Sequence, residues 1–192
     1  MNKVIYLLTL ISFCFITDTK AQEITEIRKR YTSVKDMISM QQMDDNMMNR
    51  SNVCWMQNVP GIGPQRCDYT MYFTPLGYDA NGNIKQQKIC LIENSYNIAA
   101  RKYYEEYLYN ESEELIFVYT RQPSDDGDAF IDTRIYQNEG TILKVTINEV
   151  RDGKTRLLNS NDSEYIKSVI DRGVEMKHMF WWMRDSINPD KQ

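Results

Sequence analysis

Histidine is nearly absent from this chain. His178 is the only one in 192 residues. A zinc site is disfavoured because, besides this lone histidine, no cysteine or histidine pair has metal-ligand spacing. A nucleophilic triad would need His178 beside an activated Ser or Cys and an orienting acid, whereas no G-x-S-x-G stretch is present. Glycine and proline are also scarce, at 8 and 5. This excludes collagen-like and low-complexity classes and leaves the few glycines to mark turns. No apolar run beyond the first segment is long enough to span a bilayer. Basic excess is lacking too: 23 Lys and Arg stand against 27 Asp and Glu. That balance argues against nucleic acid or an anionic membrane as the main partner.

What is present begins with a leader. Lys3 supplies a positive start, "VIYLLTLISFCFI" an apolar core of thirteen, and Thr19 and Ala21 the small residues of a cleavage site after Ala21. The pattern predicts a signal peptide over 1–21 and an exported protein of the periplasm or cell surface, extracellular or secreted. Its apolar core is too short for a spanning helix, though a retained N-terminal anchor is the alternative. Lipoprotein processing at Cys14 is disfavoured because Phe13 precedes it, where a small residue is needed. Cleavage removes Lys3, Asp18 and Lys20, leaving 21 basic and 26 acidic residues over 22–192, a net charge of −5. Those residues suffice for a single domain with a sizeable core.

Three cysteines then remain, Cys54, Cys67 and Cys90. Export to an oxidising compartment makes Cys54–Cys67 the candidate disulfide, closing a loop worth about 3 kcal/mol. Cys90, in "ICLI", reads as a small buried hydrophobe.

Ile24, Ile27, Tyr31, Val34 and Ile38 recur at helical spacing and predict an amphipathic N-terminal helix. The methionines that follow (Met37, Met40, Met43, Met47, Met48) read as core filling, with an adaptable contact surface as the alternative. "NVPGIGPQ" reads as a loop. Its G-x-G lacks the strand and helix that a phosphate-binding loop requires. Beyond it, Asn81-Gly82, "NESE", Gly140 and Asp152-Gly153 punctuate six or seven runs of strand character, predicting an antiparallel meander. In "TILKVTINEV", Leu143, Val145 and Ile147 alternate with polar residues, so one sheet face reads as apolar and the other as amphipathic. Such one-sidedness predicts helices on a single face. A C-terminal helix follows, with Asn161 and Glu164 in a capping-box relation and Gly173 weakening it by about 1 kcal/mol relative to alanine. Trp181 and Trp182 cannot share one groove. The fold class is α+β: a helix, a meander and a closing helix packed on one sheet face.

Chemistry-bearing clusters are few. Asp125, Asp126, Asp128 and Asp132 surround Gly127, but their spacing fits no calcium loop, and "DANGN" would need a glutamate where Cys90 stands. Neither a metal nor a cofactor is expected. Glu105, Glu106, Asp132 and Glu149 include no pair that the sequence singles out for glycosidase work. The remaining candidate is the tyrosine-rich sheet. Tyr103, Tyr107, Tyr109, Asp132, Arg134 and Tyr136 are the expected partner-binding residues, because tyrosine offers large contact area at low entropy cost.

The segments "VPGIGPQ" and "AARKYYEEYLYNESEELIFVY", behind a leader ending in "KAQ", resemble an uncharacterised family of small exported proteins from Gram-negative gut anaerobes, a domain of unknown function. The resemblance implies export and one α+β domain, with no catalytic residues to carry over. The sequence therefore predicts a non-catalytic binding module for a protein, peptide or glycan. A small secreted hydrolase and a structural envelope protein are the alternatives.

Overall fold

The computed structural model describes residues 2–41, 48–75, 77–78, 81, 84–158 and 162–187. Helix α1 (Asn2–Gln41) leads into β1 (Asn49–Val59), β2 (Gly63–Phe73), β3 (Gly77–Tyr78) and β4 (Ile84–Lys85). There follow β5 (Ile89–Ile98), β6 (Arg101–Tyr109), β7 (Leu115–Pro123), β8 (Phe130–Asn138), β9 (Thr141–Arg151) and β10 (Lys154–Leu157). Helix α2 (Ser163–Ile187) closes the chain. The main sheet has eight antiparallel strands in the order β1-β2-β5-β6-β7-β8-β9-β10, and β3 and β4 form a small hairpin between β2 and β5. Among the described residues, no helix is long and apolar enough to cross a membrane.

Turn chemistry explains the meander. Glu139-Gly140 and Asp152-Gly153 both place two successive residues at positive φ, the signature of a type I′ hairpin turn. Such a turn matches the strand twist and holds its neighbours in register. Between β6 and β7, the Asn110 side-chain oxygen accepts from the Ser112 and Glu114 amides, each at 2.9 Å, while its amide nitrogen donates to Glu114 at 2.8 Å. An aspartate could accept there but not donate.

Two expectations change in the first hairpin. β1 is an additional strand, and the "NVPGIGPQ" loop shrinks to a turn at 60–62, closed by Ile62 N–H donating to the Val59 carbonyl at 3.0 Å. The same register removes the Cys54–Cys67 disulfide. Cys54 lies opposite Asp68 and Cys67 opposite Trp55, so the two thiols point to opposite faces of the hairpin. Both are free, as is Cys90.

Helices cover both faces, not one. Tyr107, Val118 and Ile135 align across three strands and pack with Ile166, Val169 and Phe180 of α2. Leu108, Phe117 and Tyr136 align on the reverse face and pack with Ile27 and Val34 of α1. Burying each large side chain there contributes about 1.5–3 kcal/mol. The amphipathic face thus lies under a helix whose own charges answer its polar residues. A bulge at Tyr136/Gln137 also splits the β9 stripe. Leu143 joins the α1-side cluster and Val145 the α2-side cluster.

The helix ends and methionines resolve locally. Asp162 caps α2, its Oδ1 accepting from the Tyr165 amide at 3.0 Å. The predicted cap, Asn161, lies outside the described residues, as do Met43 and Met47. Met48 and Met37 fill the α1-side core, while Met40 is exposed. Trp181 donates to Glu113 Oε1 at 3.2 Å, and Trp182 faces solvent.

Candidate functional site

β6 runs through the middle of the sheet and carries two adjacent buried carboxylates, Glu105 and Glu106. Strand alternation sends them to opposite faces. On the α2 side, Glu105 accepts from Tyr107 (2.7 Å), Asn94 (3.1 Å) and Tyr96 (3.1 Å) and pairs with Arg172. On the α1 side, Glu106 accepts from Tyr31 and Tyr104, both at 2.6 Å, and from Lys35 at 3.0 Å. Lys35 also reaches Glu93 at 2.7 Å.

Burial and then the neighbouring carboxylates push the Tyr31, Tyr96, Tyr104 and Tyr107 phenols well above their ordinary range, so they remain donors. Burial works against the charge on Lys35, but hydrogen bonds to Glu93 and Glu106 outweigh it and hold the ammonium protonated. Arg172 is held charged in the same way, its desolvation offset by Glu105. These carboxylates are fully engaged in fastening the helices to the sheet, and the pair diverges across it. Asp132 is taken by a two-pronged pair with Arg121 at 2.8 and 2.9 Å, and Glu149 by Arg151 and Arg156. None of the four acids named from the sequence converges with another on a cleft.

An open pocket of about 380 Å³ does exist between α1 and β7–β8. Ile27 and Tyr31 of α1 line it together with Phe117, Tyr119 and Tyr136 of the sheet. The rings are mutually locked: Tyr31–Phe117 centroids are 5.3 Å apart at 64°, and Phe117–Tyr136 are 5.0 Å apart at 49°. Two guanidiniums complete the lining. Arg28 lies 5.4 Å above the Tyr136 ring, with Nε donating to the hydroxyl at 3.4 Å. Arg134 lies 5.1 Å above the Tyr119 ring. Among the described residues neither arginine has an ion-pair partner. Arg28 is exposed and Arg134 half-buried, whereas the half-buried Arg121 and Arg172 are each paired with a carboxylate. An aromatic-walled pocket with two such guanidiniums offers fork-shaped donors to an anion and flat faces to its apolar part.

The predicted patch is divided by the strand register. Arg134 and Tyr136 line the pocket. Asp132 shares their face of β8 but is buried against Arg121. Tyr103, Tyr107 and Tyr109 belong to the opposite face. Tyr107 and Tyr109 are fully buried under α2, the latter donating to the Gly173 carbonyl at 2.7 Å, so they are core residues. Tyr103 stacks on Tyr96 at 5.0 Å. The pocket adds Arg28, Tyr31 and Tyr119, which sequence reasoning did not select. Tyr31 was legible only as part of the apolar stripe, and Arg28 as a charge beside it.

His178 is exposed on α2 and meets Trp181 edge to face at 5.2 Å. In the acidic turn, Asp126 accepts from Ser124 and pairs with Arg151, which hold its carboxyl down at about 2. Among the described residues no three His, Cys, Asp or Glu side chains are grouped to hold a metal. No protein-family model, curated protein or solved structure matches the chain.

Proposed function

We propose that the protein is an exported, non-catalytic binding module. Its ligand presents a carboxylate to Arg28 and Arg134 and lays an apolar or ring face on Tyr119 and Tyr136. The observation that supports this reading is the pair of guanidiniums, free of carboxylate partners, in the lining of an aromatic-walled pocket. Acidic sugars and peptide carboxylates both have the required chemistry. The hydrolase alternative lacks comparable support, because Glu105 and Glu106 turn to opposite faces and Asp132 is engaged by Arg121. Export rests on the N-terminal pattern, and sequencing the N-terminus of the secreted protein for cleavage after Ala21 tests it.

Calorimetric titration with hippurate and with glucuronate tests the site. Each charge-assisted contact contributes about 1.5–3 kcal/mol, so Arg134→Ala and Arg28→Ala are each expected to weaken binding by about 10-fold or more. Failure of both probes to bind, or equal affinity in the double variant, would overturn the proposal.

A further inference from the structure

α2 packs over β7 and β5 and leaves the same face of β8 and β9 less covered. There a groove of about 670 Å³ opens, well within the range of about 300–1,000 Å³ found for small-molecule sites. Its walls are aliphatic: Leu115, Ile142 and Val145 from the sheet and Ile166, Ile170 and Val174 from α2. Ile142 and Val174 remain substantially exposed, at 42% and 38%. Among the described residues no aromatic ring lines the groove, in contrast to the pocket under α1.

Among the polar residues of the lining, Gln137 is the buried one, set between the aliphatic walls. Gln137 is 3% exposed and lines the groove. The bulge at Tyr136/Gln137 pairs it with Ile142, so both belong to the groove side of the sheet. Gln137 Nε2 donates to the Leu115 carbonyl at 2.8 Å, which fixes the orientation of the amide. Its Oε1 has no hydrogen-bond partner. A buried acceptor left in this state is costly unless a donor arrives. The charged residues of the lining, Glu114, Glu139, Lys167 and Lys177, balance in sign. A flexible aliphatic body suits the walls, a hydroxyl or amide donor suits Gln137, and an uncharged head suits the lining.

We infer that this groove is a second ligand site, which takes the aliphatic chain of an uncharged single-chain amphiphile and meets its hydroxyl or amide hydrogen with Gln137 Oε1. The site lies on the opposite side of the sheet from Arg28 and Arg134, and its occupancy is independent of theirs.

The test uses the full chain and two probes below their aggregation limits: monolauroylglycerol, which carries hydroxyl donors, and methyl laurate, which carries none. Monolauroylglycerol is expected to raise the melting temperature and to bind at least 10-fold more tightly than methyl laurate. Val174→Trp, a surface substitution that fills the groove, should fold and lose at least 10-fold in affinity. Ile142→Lys provides a second variant should the tryptophan not be accommodated. The Arg28→Ala/Arg134→Ala variant should retain monolauroylglycerol binding, which separates this site from the one under α1. No response in the wild-type protein, equal binding of the two probes, or undiminished binding in the folded groove variants would overturn the inference.

Discussion

Glu105 and Glu106 are consecutive in β6, yet they fasten opposite layers of the molecule: Glu105 pairs with Arg172 of α2, and Glu106 with Lys35 of α1. Removing one member of a buried pair strands the other. Arg172→Met and Lys35→Met are each expected to cost about 2–4 kcal/mol, toward the lower end because both cations are about a third exposed. Pairing each with Glu105→Gln or Glu106→Gln should recover part of the loss. Urea unfolding of the two double-mutant cycles measures this. Single losses below about 0.5 kcal/mol would place these pairs with ordinary surface salt bridges.

Alkaline pH should unfold the protein. The phenols of Tyr31, Tyr96, Tyr104, Tyr107 and Tyr109 and the ammonium of Lys35 all hold their protons more tightly folded than unfolded. A raised folded pKa means that stability is unaffected below the unfolded value, about 10, and falls as pH climbs toward the folded one. Melting temperature followed by circular dichroism should be level to about pH 9.5 and drop steeply above about pH 10. Tyrosinate absorbance from these residues should rise together with unfolding. A level profile through pH 11 would contradict this.

Gly173→Ala should destabilise, although alanine is the better helix former. A Cβ at this position would lie 2.6 Å from Tyr107 Cδ1 and 2.8 Å from Leu115 Cδ2, both in the packed core. Overpacking of this kind costs about 1–3 kcal/mol, more than the roughly 1 kcal/mol gained in helix propensity. A thermal midpoint unchanged or raised would show that α2 can move outward without penalty.

The thiols should react in three classes. Cys54 is exposed, Cys67 half-buried, and Cys90 buried with its thiol pushed up to about 11 by desolvation. A colorimetric thiol assay on the native protein should therefore label Cys54 quickly, Cys67 more slowly, and Cys90 only on unfolding. Joint loss of the Cys54 and Cys67 signals after air oxidation would point to hairpin rearrangement and a Cys54–Cys67 bond.

The meander was legible because its turns announce themselves locally: Gly140 and Asp152-Gly153 need positive φ, and few residues adopt it. The helix on the second face was not. Glu106 carries the same letter whether water or Lys35 satisfies it, and only the tertiary arrangement decides which. β1 escaped because "NRSNVCWMQNV" has no apolar alternation; it is an edge strand of the sheet and its side chains are half-buried or exposed. The Leu143–Val145 stripe misled because a bulge is a one-residue event with no composition of its own. Of the candidate pocket, Arg134 and Tyr136 were visible, but Tyr119 on β7 was not. Arg28 and Tyr31 come from α1, whose approach is set by packing between residues far apart in sequence.

That last distance has a consequence for folding. Apart from β2 and β5, which are joined across 74–88, neighbouring strands of the main sheet pair through short connections, so most of the sheet can zip hairpin by hairpin. α1 cannot join early: Tyr31 waits for Glu106, 75 positions away, and Arg28 for Tyr136, 108 away. The pocket is therefore completed only after the strands that floor it, and it is lost when α1 lifts. A ligand held by Arg28 and Arg134 would act as a clasp on that helix, and its release would be timed by local opening and not by global unfolding.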